Sequence, residues 1–325
     1  MPRHLLAGDV GGTKVILGLF DGARLLERVK IPSAHADRLE PMCEAFLASH
    51  PGVKVMAACF GIAGPVAHGR VHATNLPWVV EESSLSALLR CPVRLVNDLE
   101  ATAHGVEALQ KDDLLTLNEG ERLEHSPRAL LAAGTGLGEA YMVHDGTRWI
   151  PNASEGGHTD FGPSTDVEVS LLIHLRGLYG RASVERVISG LGIRDIFAWL
   201  ASSGRFDVPD SLTDEMSRGD AAAVISTAAL AGGPPICVET MNLFVCAYGS
   251  EAGNLALKVM ALGGVYIGGG IAPRIVPLIA AGGFLHRFFA KGRFQPLMRR
   301  MPVHLILNQD TALLGAARVA ATLRP

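Results

Sequence analysis

The 325-residue chain is poor in cysteine: it has five, and none of them forms a C-x-x-C pair. At positions 43, 59, 91, 237 and 246 they lie in apolar contexts. They read as buried free thiols of a reducing cytosol, not as a disulfide framework. Runs of one charge are missing as well, for a net charge of −3 is spread along a chain that is 19% charged. That excludes the concentrated basic face a nucleic acid would need. No stretch reaches the roughly 18 uninterrupted apolar residues of a membrane span. Residues 255–271 come nearest and are broken by Lys258 and a glycine cluster. Only three apolar residues precede Gly8-Asp9, too few for a signal-peptide core. A cytoplasmic protein with no membrane partner is therefore expected. Two common nucleotide signatures are also absent: the Walker G-x-x-x-x-G-K-[ST], and a G-x-G-x-x-G followed by a suitable acidic residue.

What the chain does have is glycine, 37 residues of it, set among apolar strands. That combination suggests tight turns and close approach of backbone to ligand. "HLLAGDVGGT", "KVILGLFD" and "ARLLERVKI" predict three strands joined by hairpins, with turns at Gly11-Gly12 and Asp21-Gly22. A helix over 37–49 and strands in "VKVMAACFGIAG" and "VRLVND" follow, which indicates a mixed sheet covered by helices. The pattern restarts near residue 128, where "RALLAAGTGLG" again runs from apolar strand into a Gly/Thr turn and then a hairpin. This reads as a duplicated unit. Helices dominate 165–262, and "VHLILNQDTALLGAARVAATL" closes the chain as strand and helix. No Ser/Pro-rich linker appears, so the halves should join through continuous structure.

Several segments carry candidate chemistry. In "GDVGGTK" (8–14), Gly11 and Gly12 let backbone amides approach a phosphate, and Thr13 adds a hydroxyl. Asp9 makes sense there if Mg²⁺, held through water, stands between it and the phosphates. The bland alternative is an ordinary hairpin turn. "GTGLG" (134–138) repeats those ingredients, and "IGGGIAPR" suits close packing beneath a purine ring or else a simple strand-to-helix turn. Asn97-Asp98 ends an apolar strand, where α/β proteins place reactive groups, although Asp98 as a cap for a helix starting at Leu99 competes with that reading. In "SEGGHTDFGP", two glycines let Glu155 and His158 turn toward one ligand. A metal site is the rival, weakened by the lack of nearby cysteine or a second histidine at ligand spacing. Glu185 in "SVERVISG" reads either as functional or as a first-turn acid favoured by a helix dipole after Ser183.

Taken together, "GDVGGT", "GIAGPV", "TNLPW", "VNDLEATAHG", "GTGLG", "EGGHTDFGP", "ERVISG", "GGVYIGGGIAPR" and "LLGAA" resemble the bacterial glucokinases of the sugar-kinase, actin and heat-shock-chaperone superfamily. The likeness spans nearly the whole chain and is greatest to the short-chain group common in proteobacteria. It implies an α/β, two-domain actin-like ATPase fold of duplicated ribonuclease H-like units, with nucleotide and sugar in the interdomain cleft. The expected domains are 1–106 with 311–325, and 107–310. The implied reaction is ATP-dependent phosphorylation of the glucose 6-hydroxyl, with Asp98 as general base. Asn97, Glu155, His158 and Glu185 would bind the other hydroxyls. ATP would be held by Gly8, Asp9, Val10, Gly11, Gly12 and Thr13, by Gly134, Thr135 and Gly136, and by Gly268, Gly269 and Gly270, with Mg²⁺ near Asp9. A homodimer is implied. The related kinases that share a family with sugar-responsive repressors usually carry a cysteine cluster for structural zinc, and "HTDFGPSTD" has none, so no structural zinc is expected. Another hexose or N-acetylhexosamine as substrate, or a sugar-sensing regulator on the same fold, is the alternative. Three departures stand out: Lys14 for a usual Asn, Glu139 for an apolar residue, and Leu191 for a common proline.

Overall fold

A computed structural model describes residues 4–74 and 76–324; Asn75 of "TNLPW" lies outside the described residues. The chain divides into two compact units. One comprises the residues up to 111, 151–153 and those from 308; the other comprises 112–150 and 154–307.

The first unit begins with β1 (His4–Val10), β2 (Lys14–Asp21) and β3 (Arg24–Pro32), an antiparallel meander. Helix α1 (Leu39–Ala48) leads to β4 (Val55–Ile62), which pairs parallel with β1. A small antiparallel sheet of β5 (Val66–Ala67), β6 (Arg70–His72) and β7 (Val79–Glu81) follows. Then come α2 (Glu82–Leu89), β8 (Val93–Asn97), parallel to β4, and α3 (Asp98–Val106). The main sheet has the order β3-β2-β1-β4-β8. Its central strands are apolar on both faces because both faces are covered. Leu6, Leu17 and Phe60 pack with Leu39, Met42 and Phe46 of α1 and Leu85 of α2. The alternate residues Leu5, Ala7, Ile16 and Cys59 pack on the opposite face with Ala101 of α3.

The second unit repeats this plan. β9 (Leu114–Asn118) precedes β10 (Arg128–Ala133), β11 (Leu137–His144) and β12 (Trp149–Ser154). A helical stretch follows: α4 (Asp166–Tyr179), α5 (Gly190–Ser202), α6 (Asp210–Arg218), α7 (Ala221–Leu230) and α8 (Pro235–Val259). β13 (Val265–Gly268) comes next, then the short helices α9 (Val276–Ala280), α10 (Gly283–Phe289) and α11 (Gln295–Arg300), and finally β14 (Val303–Ile306). The sheet order is β12-β11-β10-β13-β14-β9, with β10, β13 and β14 parallel. Its first five strands have the connectivity of the first unit's sheet, and β9 adds an antiparallel edge.

The chain ends in α12 (Thr311–Thr322), whose Leu313, Ala316 and Ala320 join the first unit's core beside Ala101. Residues 107–111, 151–153 and 308–310 group with the first unit, where the expected division put them in the second. Local bonding explains the first and last of these. Ala108 and Leu109 N–H donate back to Gly105 and Val106 carbonyls, continuing α3. Asn308 accepts from Asp310 N–H and from Thr311 Oγ1 at the head of α12, and Asp310 pairs with Arg28. Among the described residues no single helix is long and apolar enough to cross a membrane.

Candidate active site

In the first unit the polar groups gather at the C-terminal ends of β1 and β8. β1 and β2 pair as far as Val10 and Val15, and Gly11 N–H closes the hairpin on Lys14 O at 2.9 Å. Ser33 Oγ donates to Gly11 O at 2.8 Å and steadies the turn from β3's end. Two of the residues assigned to nucleotide have packing duties too. A Cβ on Gly8 would lie 2.3 Å from the Phe60 ring, and the Val10 side chain belongs to the core. The Asp9 carboxyl is pushed up to about 6, by burial first and then by the negative charge of Asp98; Lys14 opposes this and Asp310 adds to it. Among the described residues no group of three or more His, Cys, Asp or Glu is placed to hold a metal ion directly, so a cation here would have to be held through water.

Asn97 and Asp98 stand where β8 becomes α3. The cap of that helix is Asn97, not Asp98 as the cap reading of the sequence had it, because Asn97 keeps extended backbone (φ −64°, ψ 150°) while Asp98 is already helical. Leu99 N–H lies 2.9 Å from both Asn97 Oδ1 and Asp98 Oδ1. Asn97 Nδ2 also donates to Gly64 O at 3.1 Å.

In the second unit β10 ends at Ala133 and the turn 134–136 follows, closed by Gly134 N–H to Gly136 O at 2.8 Å. Gly134 and Gly136 behave differently: a Cβ on Gly134 would meet open space, whereas one on Gly136 would lie 2.4 Å from Glu185 Oε2. The 268–270 turn leaves the adjacent strand β13. Gly269 has φ +86°, and a Cβ there would strike Ala133 O at 2.3 Å, so the two turns are in backbone contact. Beneath them lies the buried Tyr248 of α8. Its hydroxyl is 3.3 Å from Ala133 N and 3.3 Å from Gly268 O, a support that sequence reading missed because Tyr248 looked like any core aromatic.

The "EGGH" loop sits against β11. A Cβ on Gly157 would lie 2.2 Å from Leu137 O, so glycine is what permits the contact. Residues 156–158 form a 3₁₀ turn, with Thr159 Oγ1 donating to Gly156 O at 2.7 Å. Main-chain bonds from Phe161 to Ala182 and from Val184 to Thr159 bring residue 185 alongside. The His158 ring then stands between two carboxylates: Nε2 is 3.8 Å from Glu155 Oε2 and Nδ1 is 3.9 Å from Glu185 Oε1. These distances are too long for direct hydrogen bonds and leave all three groups able to bind a ligand.

Glu185 does lie in the first turn after Ser183, but that turn is a 3₁₀ turn of only three residues (184–186), and its carboxylate accepts from Leu137 N–H at 2.9 Å. Glu139 is buried on β11 with Oε2 where a Cβ of Gly156 would be, 2.0 Å away, so its carboxyl lies under the "EGGH" loop. Burial pushes it up to about 7; Glu251 adds to the shift and Lys258 opposes it.

The Glucokinase family profile matches residues 6–323. A glucokinase from Nostoc sp. is 41% identical over 343 residues, covering 98% of this chain and 99% of that protein. A glucokinase structure from an Antarctic psychrotroph superimposes with a TM-score of 0.85 at 32% identity, over 99% of this chain and 100% of the other. A ROK-family glucokinase from Streptomyces griseus, in complex with glucose and AMPPNP, shares the fold at a TM-score of 0.68 and 22% identity, covering 98% of this chain and 99% of its own.

Proposed function

The chain belongs to the glucokinase family, and on that footing we propose that it transfers the terminal phosphoryl group of ATP to the 6-hydroxyl of glucose. The products are glucose 6-phosphate and ADP. The O–P bond to the sugar forms as the bond to ADP breaks, and Asp98 takes the hydroxyl proton at its carboxylate. Asn97, Glu155, His158 and Glu185 bind the remaining hydroxyls. Such a reader discriminates well, because a missing or inverted hydroxyl leaves polar groups unpaired. The turns 8–13, 134–136 and 268–270 hold ATP through main-chain amides. Asp9 would hold Mg²⁺ through water, and the ion when bound offsets the charge of the phosphates. A homodimer rests on family likeness, a cytoplasmic location on the apolar contexts of the five cysteines, and the lack of structural zinc on the missing cysteine cluster after His158.

One observation carries this reading: the His158 ring stands between Glu155 and Glu185, and Glu185 accepts from Leu137 N–H beside the glycine turn at 134–136. A coupled assay crossing glucose, mannose and N-acetylglucosamine with ATP, ADP and polyphosphate tests it. Glucose with ATP should give the highest kcat/KM. If another sugar wins, the glucose assignment fails; if no sugar accelerates ATP turnover, kinase activity itself is refuted.

A further inference from the structure

A sugar contact alone does not account for how Glu185 is bonded. Its Oε2 accepts from Leu137 N–H at 2.9 Å and lies where Gly136 leaves room for no Cβ. Its Oε1 points to His158 Nδ1, 3.9 Å away. Five residues on, Gly190 N–H donates to Gly134 O at 2.9 Å. The segment 185–190 therefore grips the glycine turn at both ends. Ser189, fully buried, fixes the spacing between those grips: its Oγ donates to Glu185 O at 2.7 Å and accepts from Gly192 N–H at 3.0 Å.

We infer that Glu185 is also a positioning residue for the nucleotide, its Oε2 setting the shape of the 134–138 turn while its Oε1 faces the His158 ring of the sugar-binding loop. This rests on the kinase reading, which assigns the turn to ATP. A carboxylate accepting a main-chain N–H makes a strong, directional bond. Removing it leaves the Leu137 amide unpaired and the turn without a brace on that side. A sugar hydroxyl on Oε1 bears on the same carboxylate, so sugar and nucleotide affinities are linked reciprocally.

Calorimetric titration of AMP-PNP in the absence of sugar tests the inference on the wild type, Glu185→Ala and Glu185→Gln, with thermal unfolding followed in parallel. Glu185→Ala should weaken AMP-PNP binding at least about fivefold. Glu185→Gln retains an oxygen that accepts the Leu137 N–H, and should bind AMP-PNP within about twofold of wild type while its glucose KM stays raised. An unchanged sugar-free affinity in the alanine variant overturns the inference, as does a glutamine variant as weak as alanine. If the alanine variant does not fold, Glu185→Asp, whose shorter arm withdraws the acceptor, takes its place with the same expected loss. Wild type that binds no AMP-PNP defeats the kinase reading and this inference with it, an outcome distinct from a loss confined to the variants.

Discussion

Asn97 and Asp98 share one amide, Leu99 N–H, and that shared bond holds both side chains in place at the head of α3. Asp98→Asn keeps the shape and an oxygen for that bond but removes the proton acceptor. Its kcat should fall by about 10²–10⁴-fold while glucose binding, read by intrinsic fluorescence, changes little. Turnover near wild type would remove Asp98 as the base. Glu139 makes a prediction about pH. Its folded-state pKa is raised from 4.5 to about 7, so the fold holds a proton that the unfolded chain releases. Its contribution is most favourable below pH 4.5 and is lost as pH rises to about 7. Glu139→Gln should raise Tm at pH 8 by about 2–4 °C and flatten its fall between pH 5 and 8. A variant no more stable than wild type at pH 8 would contradict this. The identities of Asn97, Asp98, Glu155, His158 and Glu185 as polar groups in glycine-rich or strand-end contexts were legible in the sequence. Which of Asn97 and Asp98 caps α3 was not, because a single pair of backbone angles decides it.

At the scale of elements, glycine governs how closely α3 and α12 approach. A Cβ on Gly315 would lie 1.7 Å from Ala101 O, and one on Gly105 would lie 1.9 Å from Thr311 O. Backbone meets backbone at both points, so no side chain can yield. Gly315→Ala should destabilise the protein by about 1–3 kcal/mol. Because α3 carries Asp98 at its first turn, kcat should fall with stability. Parallel measurement of Tm and kcat decides the matter: unchanged values in both would mean the helices separate freely. The long strands and helices were legible because their apolar patterns run for a turn or more. The β5–β7 sheet was not, since strands of two or three residues are too short to show a period. The 3₁₀ turn at 184–186 was hidden for the same reason, and only the pairing of 159–161 with 182–184 shows why Glu185 faces the glycine turn.

At the scale of the molecule, each unit builds the same five-strand order around its own core, and thiols are distributed through both. Four of the five cysteines are buried; burial pushes Cys91 up to about 11 and raises Cys43, Cys59, Cys237 and Cys246 as well. Iodoacetamide at pH 8 should therefore label native protein slowly and all five thiols in urea, as intact mass will show. Rapid native labelling at several sites would point to looser cores than these. The repeat of strand, Gly/Thr turn and hairpin was determined by the sequence alone, because alternation and glycine turns are local properties. So were the candidate residues and the likeness to a sugar kinase. Only the tertiary structure decided the connections among them. Asn97 rather than Asp98 caps α3, Glu139 lies under Gly156, and Glu185 reaches Leu137 across 48 residues of chain. The last two are contacts between segments separated in the chain, which no local pattern encodes, and the first turns on one residue's backbone angles.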